Sequence, residues 1–158
     1  MGFRTTERMT GHHEFRNGLG SPGRHPFAFR VTWGPERLRD WLDPRSDRFL
    51  WQELSGEVEA GGLCGPTPCE GTLHLQYGQG RIRYVFDFDV RGTTHRFVGD
   101  KVWLRWHNLA VTHRLCTGTV VELGSGRLVS TAVTTFKWRD LPGLLLGGVR
   151  PRHLRAAG

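Results

Sequence analysis

The chain lacks any segment that would carry it across a membrane as a helix. No stretch approaches the roughly eighteen consecutive apolar residues such a helix needs. The longest candidate, Leu141 to Val149, is short and broken by Gly. The first residues carry Arg and His but no apolar run of the kind a secretory leader has. Cysteine is scarce: Cys64, Cys69 and Cys116 make an odd number, which favours free thiols in a cytoplasmic protein over a disulfide framework. Cys64 and Cys69 bracket Gly-Pro-Thr-Pro, but a structural zinc site would need a second pair. There is no Gly-x-Gly-x-x-Gly after a strand, no P-loop, no Gly-x-Ser-x-Gly and no His-Glu-x-x-His. These absences give no expectation of a metal, a cofactor or a catalytic residue.

A formal charge of +7 invites a nucleic-acid reading, so its location decides the matter. Residues 1–25 carry Arg4, Arg8, Arg16 and Arg24 against Glu7 and Glu14, and the final stretch adds Arg150, Arg152 and Arg155. The body between them is close to balanced. The excess sits on the ends, which suits a weak membrane-surface contact but not a surface that reads nucleic acid.

What is present is alternation. Residues 1–25 mix Gly, Arg, His, Thr and Pro without apolar periodicity and read as a disordered basic leader, with His12 and His13 at its surface. From 26 to 149 the pattern is a barrel domain, and 150–158 is a basic tail. Phe27, Phe29, Val31 and Trp33 share one face of a strand. Gly34-Pro35 ends it, and Leu38, Trp41 and Leu42 then recur at helical spacing, which predicts one short N-terminal helix placed as a lid. Leu50 to Glu59 is the next strand, followed by a loop over 61–69 and a strand over 72–77. Gly78-Gln-Gly80 makes a turn. In the next strand Ile82, Tyr84, Phe86, Phe88 and Val90 alternate with Arg83, Val85, Asp87 and Asp89. Three further strands span 94–104, 109–123 and 128–138. Leu109, Val111, His113, Leu115, Thr117, Thr119, Val121 and Leu123 share one side of the second, with Thr117 and Thr119 leaving room inside. Leu128 shares the inward face of the third with Ser130, Ala132, Thr134 and Phe136. Seven strands joined mostly by tight turns predict an all-β, up-and-down antiparallel barrel.

Several short runs add a family resemblance. Glu53-Leu-Ser-Gly-Glu-Val-Glu-Ala-Gly-Gly-Leu-Cys64, Glu70-Gly71, Arg83-Tyr-Val-Phe86, Phe97-x-Gly-x-Lys101 and Gly118-Thr-Val-Val-Glu122 together resemble an accessory β-rich domain. That domain occurs with actinobacterial glucose-methanol-choline oxidoreductases of the cholesterol-oxidase-like kind. The resemblance covers roughly residues 50–140 and implies a calycin, lipocalin-like barrel in a lipid or sterol context, here free-standing. It also implies an oxidoreductase as partner.

The expected function is non-covalent binding of a small hydrophobic ligand (lipid, sterol or isoprenoid) inside the barrel. Tyr84, Phe86, Phe88, Trp103, Phe136 and Trp138 would form the apolar wall, with Trp33, Phe29, Ser130, Ala132 and Thr134 on inward faces. His113 falls between Val111 and Leu115 on an apolar face. It reads as a hydrogen-bonded core histidine, a polar contact to ligand, or a general base. Lys101 either anchors a ligand carboxylate inside or lies outside with its stem over aromatics. Asp87 and Asp89 should face solvent and pair with Arg96 or Arg105. Two alternatives stand: a filled accessory module that docks on an oxidoreductase or lipid-modifying enzyme, and a barrel cyclase or isomerase with His113 as base.

Overall fold

A computed structural model describes residues 2–102 and 115–136. Eight strands lie among them: β1 (Thr5–Phe15), β2 (Arg24–Trp33), β3 (Trp51–Ala60), β4 (Cys64–Gln76), β5 (Arg81–Val90), β6 (Thr93–Val102), β7 (Leu115–Glu122) and β8 (Arg127–Phe136). Each pairs antiparallel with the next, and β8 returns to β1, so the sheet closes. The protein is an all-β, up-and-down antiparallel barrel, as the alternation predicts. Closure leaves no edge strand exposed.

The strand that closes it is the one the sequence conceals. Residues 1–25 are not a disordered leader, because Thr5–Phe15 is a full strand held by β2 on one side and β8 on the other. Its buried residues are Thr5, Glu7, Met9 and His13, with exposed Gly11 at the remaining alternate position, so period two is present but hydrophobic contrast is not. The barrel therefore begins near residue 5 rather than 26. The expected boundaries at 149 and 150–158 lie outside the described residues. Gly11 lets the seam close: a Cβ there would sit 1.9 Å from the carbonyl oxygen of Val133 on β8.

Other local expectations change as well. The short helix exists as α1 (Leu38–Leu42), but β1 and β2 precede it, so it lies in the β2–β3 connection and is not N-terminal. The loop over 61–69 is mostly strand: β4 starts at Cys64, and Pro66 and Pro68 are exposed. Those prolines are tolerated because β4 meets β5 only from Glu70 onward and has one neighbour before that. On β7 the face carrying Leu115, Thr117, Thr119 and Val121 points outward, while Cys116 and Val120 point in. On β8 a register shift opposite Val120/Val121 turns both Val129 and Ser130 inward and leaves Leu128 on the outer side. Outside the barrel, Arg96 holds Asp87 and Arg83 holds Asp100 through paired cross-strand hydrogen bonds.

The two ends of the barrel differ. Four connections at one end are hairpin-like: 16–23, 61–63, Arg91-Gly92 and 123–126. Arg91 and Gly92 both have positive φ (51° and 81°), the geometry a two-residue hairpin turn requires. Above this end the interior is filled by rings. Phe97 lies 5.3 Å from Phe27, 5.5 Å from Phe29 and 4.9 Å from Phe86, centroid to centroid. Gly118 makes room for it, since a Cβ there would come within 2.5 Å of the ring.

His13 lies at the same end and is not a surface residue. Its Nε2 donates to the Gly61 carbonyl and its Nδ1 bonds the Ser130 hydroxyl. Burial holds its pKa below the ordinary value, against the opposing effect of the Gly61 bond.

Two outcomes test this architecture. Removing residues 1–15 should abolish the cooperative urea transition, because β2 and β8 lose their shared partner and become open edges. An unchanged transition would mean that β1 is not part of the barrel. The native state should also take up fewer protons at His13 than the unfolded chain, whose value is near 6.5. The stability His13 contributes is then present above that pH and lost as pH falls below it, through the depressed folded value. The urea midpoint of the wild type should fall more steeply on acidification than that of His13→Asn.

Candidate functional site

The other end of the barrel carries the long connection 34–50 and gathers most of the buried polar groups among the described residues. Alternation along β6 turns His95, Phe97, Gly99 and Lys101 inward. Lys101 is therefore inside, only 6% exposed. An ammonium so placed needs a counter-charge, and Glu7 supplies it from β1, hydrogen-bonding Nζ across the interior. The hydroxyl of Tyr84 on β5 donates to the second oxygen of Glu7 at 2.8 Å. Nζ also lies 5.4 Å from the Tyr84 ring centroid and 5.7 Å from that of Phe136, within cation–π range.

This arrangement fixes protonation states. Burial, then the charge of Glu7, raises the Tyr84 pKa well above its ordinary value, so the phenol stays a donor. Burial pushes the Cys116 thiol up to about 12, against the lowering effect of Lys101. Cys69 on β4 is likewise pushed up to about 12, and all three cysteines are free. Both oxygens of Glu7 are occupied and both buried thiols are protonated. The cluster thus offers neither a ready base nor a ready nucleophile. Among the described residues no three His, Cys, Asp or Glu side chains converge to hold a metal ion. What it presents is a set of polar groups at the end of an apolar interior.

Three more buried groups belong to this end. Thr5 Oγ1, Trp33 Nε1 and Gln52 Nε2 have no hydrogen-bond partner among the described residues. Thr5 and Trp33 are register partners on β1 and β2, and Gln52 lies on β3 two residues from Leu54, the partner of Trp33. Outside the wall, the α1 connection leaves a groove of about 930 Å³ lined in part by Trp41, Trp51, Arg37 and Arg48. Gln52 and Leu54 also line it, so the groove reaches the barrel end.

Of the residues expected to bind ligand, Tyr84, Phe86, Phe88 and Lys101 are buried inside, and Phe136 packs half-buried against the core. Phe86 and Phe88 face protein rings: Phe86 lies 5.3 Å from Phe29 and 6.3 Å from Phe88. Lys101, Tyr84 and Phe136 are the members brought together. Trp103, His113 and Trp138 lie outside the described residues. Sequence reasoning missed Glu7, Thr5 and Gln52. Glu7 and Thr5 sit on the strand whose polar inward row gives no hydrophobic alternation, although their i, i+2 spacing with Met9 was a usable sign. No helix among the described residues is long and apolar enough to cross a membrane. No protein-family model, curated protein or solved structure matches this chain.

The pair makes a prediction. Lys101→Met and Glu7→Leu should each cost about 3–5 kcal/mol in urea unfolding, because each strands the other charge. The double variant should recover most of that loss. Additive losses would show that the two residues do not meet.

Proposed function

We propose that this barrel binds a small, largely apolar ligand non-covalently, with the ligand's polar end at the long-connection end. The observation that carries this reading is the Glu7–Lys101–Tyr84 cluster buried beside an aromatic interior. A protein that only needed a stable core would gain little from such a cluster, since a buried ion pair is often no more stabilising than apolar residues of the same volume. Binding sites, in contrast, are mostly apolar with a few placed polar groups. An eight-stranded barrel has an interior just wide enough to be filled or to hold one small ligand.

A lipid, sterol or isoprenoid is the ligand class we favour, since each enclosed methylene contributes about 0.8 kcal/mol. The likeness of residues 50–140 to the accessory calycin-like domain of glucose-methanol-choline oxidoreductases agrees with that class. A second reading, a filled module that docks on an oxidoreductase, is favoured by the contacts among Phe27, Phe29, Phe86 and Phe97.

Native mass spectrometry separates the two. Freshly purified protein is expected to carry a small-molecule mass that denaturation releases, and an apolar fluorescent probe should bind at one per barrel. Protein that carries nothing and leaves every such probe in solution would be a filled module.

A further inference from the structure

The unpartnered groups at the long-connection end specify what a ligand must bring. Trp41 on α1 donates its indole N–H to Gln52 Oε1. Indole nitrogen can only donate, so this bond fixes the amide orientation and leaves Nε2 as the free end with two N–H groups. Trp33 Nε1 is likewise a donor only. Thr5 Oγ1 adds a hydroxyl. Gln52 is 2% exposed and Thr5 7%, so bulk water does not satisfy them, and a buried donor left unmet is destabilising. The three groups sit on adjacent strands at the same end of the interior. The set is rich in donors, and its only acceptor is the Thr5 hydroxyl oxygen. A trapped water would satisfy the N–H groups but find few acceptors for its own hydrogens.

The charge balance excludes the ligand that a buried lysine first suggests. Lys101 is already neutralised by Glu7, and Tyr84 occupies the other carboxylate oxygen. A ligand carboxylate would bring a second negative charge beside Glu7, and among the described residues the one lysine or arginine buried inside, Lys101, is already paired.

Resting on the ligand-binding reading above, we propose that the head group received here is an uncharged oxygen acceptor. Its chemistry is that of a ketone, ester or amide carbonyl, bound by Trp33 Nε1, Gln52 Nε2 and Thr5 Oγ1. The Glu7–Lys101–Tyr84 cluster then acts as a polar floor that repels free acids. The lone pairs of a carbonyl oxygen match the donors that the fold leaves over.

Displacement of an apolar fluorescent probe from the full chain by methyl octyl ketone, decanoate and decane tests this. The ketone should bind about fivefold to tenfold more tightly than decane, the worth of one or two hydrogen bonds, and decanoate should be the weakest. Trp33→Phe and Gln52→Met should each bring the ketone-to-decane affinity ratio close to one, a ratio read within each variant that separates loss of a contact from a general loss of binding or fold. Decanoate binding above the ketone, or a ketone preference that survives both substitutions, would overturn the head-group assignment and leave the binding reading standing. Failure of all three compounds to displace any bound probe, or of any probe to bind, would overturn the binding reading and the assignment with it.

Discussion

A lysine ammonium inside a small barrel is tolerable only beside its counter-charge, and Glu7 provides it to Lys101 from a strand that is not a neighbour in the sheet. Much of the structure at that end follows from this contact. Because the pair crosses the interior, β1 has to be in place for β6 to keep Lys101 inside. Because Glu7 has a second oxygen, a donor is required there, and Tyr84 meets it with a phenol that burial keeps protonated. The same contact leaves Lys101 unavailable as a free cation. It turns what would be an anion site into a neutral polar surface.

The two ends of the barrel interior differ in chemistry. Near the hairpin end, aromatic rings pack against one another and the polar groups are satisfied by protein: His13 by Gly61 and Ser130, His95 by the Thr93 carbonyl. Near the other end, the rings give way to Glu7, Lys101, Thr5 and Gln52, and three donor-bearing atoms have no partner among the described residues. Buried groups without partners are rare in folded proteins, so their clustering at one end is informative about function. Two glycines permit this packing: Gly118 admits Phe97 into the core, and Gly11 lets β1 approach β8.

The legible parts of the sequence were those with strong hydrophobic contrast. The strand from Ile82 to Val90 could be read residue by residue, down to the inward row of Tyr84, Phe86 and Phe88 and the outward Asp87 paired with Arg96. β1 could not be read, because its buried residues are Thr5, Glu7, Met9 and His13, and Glu7 and His13 find their partners far along the chain. The same cause hid Glu7, and with it the reason for Lys101 to be buried. The inward face of β7 was misassigned because Cys116, Gly118 and Val120 are less conspicuous than Leu115 and Val121 on the outer side. Leu128 was misplaced by a bulge, which breaks period two without any mark in composition. The resemblance read in residues 50–140 implies a barrel, and a closed barrel is observed, but Glu7, the partner of Lys101, lies outside that stretch.

The most direct test of this account observes the Lys101 ammonium itself by proton–nitrogen NMR of the full chain. The account predicts a single ammonium resonance protected from solvent exchange, shifted or lost in Glu7→Gln and insensitive to substitution of surface carboxylates such as Asp100. A Lys101 ammonium that exchanges as fast as an exposed lysine, with no response to Glu7→Gln, would contradict it.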